Sequence, residues 1–210
     1  MADHAAVWWR GAFLAALILL LAGCSRSEPE IIEFTGETMA STWSVKVSEM
    51  PAGVEPQQVA DRIQSILDGI NQRMSTYRDD SELSRFNQAP AGTVMEVSPD
   101  LFEIVQQSLK VWRLSQGTFD ISVGPLVNLW GFGPEGRPDR VPDEATRQAA
   151  WKRVGSDALI LHTEARQLEK REDLYLDLSG IAQGFPADKV AAALEALGVA
   201  DEVHLATKVR

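Results

Sequence analysis

Gly117 to Gly133 reads GTFDISVGPLVNLWGFG, and its one carboxylate, Asp120, stands among phenyl, indole and aliphatic groups interrupted by glycines. Such a segment suits a flat ligand with a polar edge. Apolar walls take a ring system such as a flavin's, and a few polar groups at its rim set its orientation. A plainer account is also open: a hydrophobic turn packed on the core, with Gly124-Pro125 reversing the chain and Asp120 capping the next short helix.

Other chemistries find less support. His4, His162 and His204 show no H-x-x-x-H or cysteine spacing, so a transition-metal site is not indicated. Ser179-Gly180 lacks the G-x-S-x-G elbow of a nucleophilic serine and has no assignable histidine partner. Neither a phosphate-cradling P-loop nor a G-x-G-x-x-G opens any expected helix. The formal net charge of -10, with no Lys/Arg cluster, argues against a nucleic-acid partner.

The single cysteine points elsewhere. Leu21-Ala22-Gly23-Cys24 closes an apolar run, Ala12 to Ala22, that is too short to span roughly 30 Å of hydrocarbon. Small residues before Cys24 admit a signal peptidase, and the thiol can take a diacylglyceryl group. We therefore expect residues 1–23 to be a lipoprotein signal peptide and 24–33 a lipidated tether. The protein would then be lipid-anchored in a bacterial cell envelope, facing the periplasm. The rival is an uncleaved helix from near Ala5 that buries Arg10, and Asp3 offsets that charge enough for the n-region to favour neither.

The whole chain, with 45% hydrophobic and 24% charged residues over 210 positions, is sufficient for one medium globular domain. Phe34 to Val47 reads as a half-buried strand. Val59, Ile63, Ile66, Leu67, Ile70 and Met74 recur at helical spacing behind Pro56. A short helix ends near Asn87, and another starts at Ser98-Pro99 with Leu101, Val105, Leu109 and Trp112 inward. A modest helix runs from Asp143 to about Val154. Strands are expected at Leu159 to His162 and Leu174 to Leu178, separated by a charged turn from Glu164 to Asp173. A helix through Val190, Leu194 and Leu197 stops at Gly198, and a last strand begins at Glu202. This order is that of an α+β domain.

Four blocks, in this order, resemble the FAD:protein FMN transferase family, the ApbE-like flavin transferases. They are Thr38-Met39-Ala40-Ser41-Thr42; Met74-Ser75-Thr76-Tyr77 with Ser81 to Asn87; residues 117–133; and Asp177-Leu178-Ser179-Gly180-Ile181-Ala182-Gln183-Gly184. The resemblance implies an ApbE-like, T-fold-like α+β domain over residues 34–210, with FAD as substrate, Mg2+ as the metal and a flavin-accepting target protein as partner. Carried over residue by residue, it places FAD contacts on Met39, Tyr77, Thr118, Phe119, Asp120, Asp177 and Gln183, and a metal-binding backbone carbonyl on Gly180. Each contact has a structural alternative. Met39 could be core, Tyr77 a helix cap, and Asp177 an acceptor for turn amides at Ser179 and Gly180.

The chain departs from the family pattern at Ala40-Ser41, usually Gly-Thr, and at Gln183, often Lys or Glu. Pro186 implies that the helix there begins late or kinks. The family also continues past the strand at Val203 to Leu205 with a Gly-Gly-Asp or Gly-Gly-Glu turn and with later histidine, Asp and Thr groups, where this chain reads Ala206 to Arg210. On this reading the domain is incomplete at its C-terminus and inactive by itself. The alternatives are a non-catalytic flavin-binding lipoprotein and a structural envelope lipoprotein. Replacing Cys24→Ser should release or mislocalise the protein on membrane fractionation, whereas unchanged fractionation with the signal still attached would favour the spanning helix.

Overall fold

The computed structural model describes residues 31–38, 41–48, 50–134, 136, 141–199 and 204–209, so the signal segment 1–23, Cys24, Met39 and Ala40 lie outside the described residues. A compact unit begins at Ile32 and runs to Arg210. Its strands are β1 (Ile32–Thr38), β2 (Ser41–Val47), β3 (Thr93–Glu96), β4 (Leu159–His162), β5 (Gln167–Lys170) and β6 (His204–Val209). Its α-helices are α1 (Pro56–Met74), α2 (Glu82–Gln88), α3 (Pro99–Leu114), α4 (Gly124–Leu129), α5 (Glu144–Trp151) and α6 (Gly184–Ala196). A 3-10 turn, Ile121–Val123, leads into α4.

Two antiparallel three-stranded sheets result, in the orders β1-β2-β6 and β3-β5-β4. The expected single strand over 34–47 is instead a hairpin that pairs Ile32 with Val47 and Thr38 with Ser41. Gly36 lies opposite Trp43, and a Cβ there would fall 2.6 Å from the indole ring, so the indole covers bare backbone. Phe34, Trp43, Val45 and Val47 pack on Val59, Ile63 and Leu67 of α1 and on Val190 and Leu194 of α6. The second core gathers the end of α1, α2, α3, β4, β5 and the segment 174–178, with Phe86, Leu101, Ile104, Leu168 and Leu176 essentially sealed from water.

The strong helical periodicities appear as expected. Helix α1 starts at Pro56 and buries Val59, Ile63, Leu67, Ile70 and Met74. Helix α3 has Ser98 as its cap, the hydroxyl accepting from Leu101 N at 3.3 Å. Asp143 caps α5 by accepting from Thr146 N at 2.8 Å. Helix α6 starts at Gly184, which puts Pro186 in its first turn, where a missing N–H breaks no helical bond. On the outer side Arg73 of α1 and Lys189 of α6 both reach Asp100 of α3, at 3.1 and 3.4 Å. Glu103 holds Lys189 Nζ at 2.6 Å and raises its pKa.

Three local expectations fail. Gly124-Pro125 does not reverse the chain; it opens α4, with Pro125 in the first turn and Gly124 in ordinary helical geometry. The expected charged turn over 164–173 contains β5, where Leu168 and Lys170 face inward and Gln167 and Glu169 are half-buried. An inward lysine breaks the apolar alternation by which a strand is recognised. Leu174 to Leu178, read as a strand, forms no ladder and belongs to neither sheet.

At Gly124 only contact decides the outcome, since its backbone suits any residue. A Cβ would lie 2.4 Å from Tyr175 Cδ1 and 2.5 Å from the Tyr175 carbonyl oxygen. Gly124→Ala should therefore cost about 1–3 kcal/mol through overpacking, more than the ~1 kcal/mol that helix propensity returns. Urea unfolding would show a lower midpoint; a midpoint at or above the parent's would contradict this packing.

Candidate functional site

The segment 174–178 has backbone groups to satisfy and no ladder to satisfy them. A side chain supplies the bonds. Asn87, at the end of α2 and buried, donates from Nδ2 to Leu176 O at 2.9 Å and accepts at Oδ1 from Leu176 N at 2.8 Å. The next amide, Asp177 N, donates to Ile121 O at 2.7 Å. Leu174, Leu176 and Leu178 then point into the core. Alternation places Asp177 on the opposite side together with half-buried Tyr175, and Asp177 itself is only 7% exposed.

The Ile121 contact brings two of the expected blocks together. Phe119 is half-buried against the core, and a Cβ on Gly180 would sit 3.3 Å from its ring, so Gly180 rests on the phenyl edge. Phe119 N is fixed by the Ser115 hydroxyl at 3.0 Å. Thr118, Ser179, Gly180 and Gln183 are exposed beside these groups in the sequence.

The two carboxylates differ in occupancy. Asp120 Oδ1 accepts from Ser122 N at 2.8 Å, Ser122 Oγ at 2.6 Å and Ser156 Oγ at 2.6 Å. Its Oδ2 accepts from Ser156 N at 3.2 Å. Ser122 Oγ in turn accepts from Gly155 N at 2.7 Å, which sews the 3-10 turn to the loop before β4. Asp120 is thus the cap of the 3-10 turn. Asp177 carries less: Oδ1 accepts from Ser179 N at 2.8 Å, and Oδ2 takes no hydrogen bond from the described residues.

Tyr77 does not cap α1; Ser75 occupies that position. Its ring is 67% exposed, and its hydroxyl donates to Phe132 O at 2.9 Å, which ties the second block to the far end of the 117–133 wall. The turn before it is held by Ser81 Oγ and Ser84 Oγ, both donating to Ser75 O at 2.5 and 3.1 Å. Trp130 and Phe132 of the wall are exposed, at 40% and 69%. A separate cleft of about 300 Å³ lies between α4 and α5, lined by Pro125, Leu129, Ala149 and Arg153 among others, and none of the expected ligand contacts lines it.

Among the described residues no group of three or more His, Cys, Asp or Glu side chains could hold a metal. Gly180 is exposed, so a backbone carbonyl at this position would suit a hard cation as a single oxygen ligand. Sequence reasoning missed Asn87, Ser122, Ser156 and Lys170 as structural partners of the site. Lys170 is fully buried, and its Nζ donates to Asn87 O at 2.9 Å and Phe86 O at 3.3 Å. Burial pushes its pKa down.

Because Asp120 anchors four donors, Asp120→Ala should lower the unfolding free energy by about 2–4 kcal/mol, as expected for a lost cap together with unpaired buried hydroxyls. Calorimetric melting would report it, and an unchanged midpoint would show that the serines find other partners.

The ApbE family model matches residues 39–203. The FAD:protein FMN transferase of Vibrio cholerae is 40% identical over 185 residues, covering 88% of this chain and 54% of that protein. The one from Haemophilus influenzae is 39% identical, covering 89% and 55%. Among solved structures, the flavin transferase ApbE from Vibrio cholerae superposes with a TM-score of 0.78 at 36% identity, covering 85% of this chain and 57% of that one. The apo Pseudomonas stutzeri flavinyl transferase ApbE gives 0.76 at 35%, with 85% and 56% covered. The chain spans a little over half the length of these relatives. With blocks, sheet-and-helix order and backbone all in agreement, the chain belongs to the ApbE family.

Proposed function

We propose that the surface formed by residues 118–121 and 177–180 binds FAD, and that the chain contributes it to transfer of FMN onto a Thr or Ser hydroxyl of a target protein. The observation that carries this reading is Asp177, a buried carboxylate with one oxygen left for a ligand, whose N–H is bonded to Ile121 O and which stands three residues before Gly180, itself resting on the Phe119 ring. The relatives are named for this activity.

Within the site the carboxylates divide their work. Asp177 Oδ2 accepts from adenine or ribose groups, while Asp120, engaged by Ser122 and Ser156, acts by tying the 3-10 turn that follows it to the loop before β4. Exposed Tyr77, with its hydroxyl tethered to Phe132, offers a ring face for stacking. Gln183, exposed at the start of α6, and Met39 complete the expected contacts. In the transfer, the target's hydroxyl oxygen bonds to the FMN-side phosphorus, the bridging P–O bond breaks, AMP leaves with the bridging oxygen, and the hydroxyl proton passes to solvent or a base. The Gly180 carbonyl would hold Mg2+ together with waters and the diphosphate. When bound, the metal would supply charge neutralisation at the diphosphate. Lipidation at Cys24 would present the site to envelope proteins from the membrane surface.

The rival reading, flavin binding without transfer, shares the pocket and differs only in the absence of covalent product. Titration of the protein with FAD in the presence of magnesium should give saturable heat, and Asp177→Ala should weaken binding by about tenfold through loss of a buried acceptor. Absence of binding, or equal affinity in the variant, would refute the assignment.

A further inference from the structure

We infer that Asn87 is a positioning residue for the ligand-binding site: it touches no substrate and sets where Asp177 stands. The inference rests on the flavin-binding reading and adds to it the device by which that site is built. Segment 174–178 has no sheet partner, so its placement is decided by a few bonds. Two of them come from one carboxamide, which grips both the N–H and the C=O of Leu176, the residue directly before Asp177, at 2.8 and 2.9 Å. A planar amide pairing with both groups of one residue fixes the position of that residue and the plane of its neighbouring peptides.

The carboxamide is itself fixed. Asn87 is 7% exposed, and its own carbonyl receives the Lys170 ammonium at 2.9 Å. Lys170 also bonds Phe86 O at 3.3 Å and lies 5.6 Å above the Phe86 ring. A cation at the last carbonyls of α2 interacts favourably with that end of the helix dipole. Lys170 makes no ion pair with a described carboxylate, so its bonds are committed to the end of α2. From β5 through α2 to segment 174–178, a rigid chain of contacts thus ends one residue short of the acceptor for the ligand. Ser122 and Ser156 are likewise buried, but they hold Asp120, whose oxygens are already filled.

The test compares the full chain, Asn87→Ala, Asp177→Ala, the double variant and Leu109→Ala, a core change in α3 remote in sequence from both blocks. Two readouts are taken at a temperature where all are folded: amide hydrogen exchange resolved over 174–181, and FAD affinity with magnesium. Asn87→Ala should speed exchange at Leu176, Asp177 and Ser179 by about tenfold or more, beyond any change in α3, because local opening no longer breaks the paired bonds. Leu109→Ala should not single out that segment. For FAD, Asn87→Ala should weaken binding by about tenfold, and the double variant by no more than about tenfold again in total, since both act through one acceptor.

Exchange in Asn87→Ala that rises equally in α3 and in 174–181 would overturn the inference, as would an additive loss of about a hundredfold in the double variant. If the parent does not bind FAD, the flavin reading fails while the exchange pattern still decides whether Asn87 positions Asp177. Should Asn87→Ala not fold, Asn87→Asp keeps the acceptor for Leu176 N and removes the donor to Leu176 O, and the same segment-specific loss of protection is expected.

Discussion

The grip of one carboxamide on one residue's peptide groups is the constraint around which the site is arranged. A buried segment outside any sheet would leave amide and carbonyl groups unpaired at a cost of about 1–3 kcal/mol each. Asn87 removes that cost at Leu176, and Ile121 O removes it at Asp177. With those bonds made, Leu174, Leu176 and Leu178 can seal the second core while Asp177 is turned the other way.

Rigidity is supplied from behind. Lys170 occupies a core position that an aliphatic residue could fill, and burial disfavours its charge. Its lowered pKa means that the stability this group contributes is present in full only above the usual lysine value and is lost as pH falls through the lowered one. What the ammonium provides at neutral pH is a fixed end to α2, through the Phe86 and Asn87 carbonyls. Asp120 does comparable work on the other block by joining the 3-10 turn to Gly155-Ser156 through Ser122. Two polar networks, each anchored in the core, therefore present Phe119 and Gly180 to each other.

Much of this architecture was legible in the sequence, and its limits have physical causes. Helices α1 and α3 were readable because an apolar stripe recurs along them and Pro56 and Ser98-Pro99 mark their starts. Strand β5 was hidden because its inward residues are a leucine and a lysine, a pattern that looks like a charged turn until the lysine's helix-end partners are known. Leu174 to Leu178 has the alternation of a strand, and alternation reports side-chain direction rather than ladder pairing. Gly124-Pro125 reads as a turn or as a helix start with equal ease, and only the Tyr175 contact shows why a glycine is there. The capping alternative for Asp120 was correct as structure. The role of Asn87 could not be read locally, because its partner lies 89 residues away.

That residues 118–121 and 177–180 form one FAD-binding surface is tested most directly by photolabelling the protein with an azido-adenine analogue of FAD and mapping the modified residues. Label is expected within those two segments, suppressed by excess FAD. Label confined to the β4–β5 hairpin or to the cleft between α4 and α5, or label that excess FAD does not suppress, would contradict it.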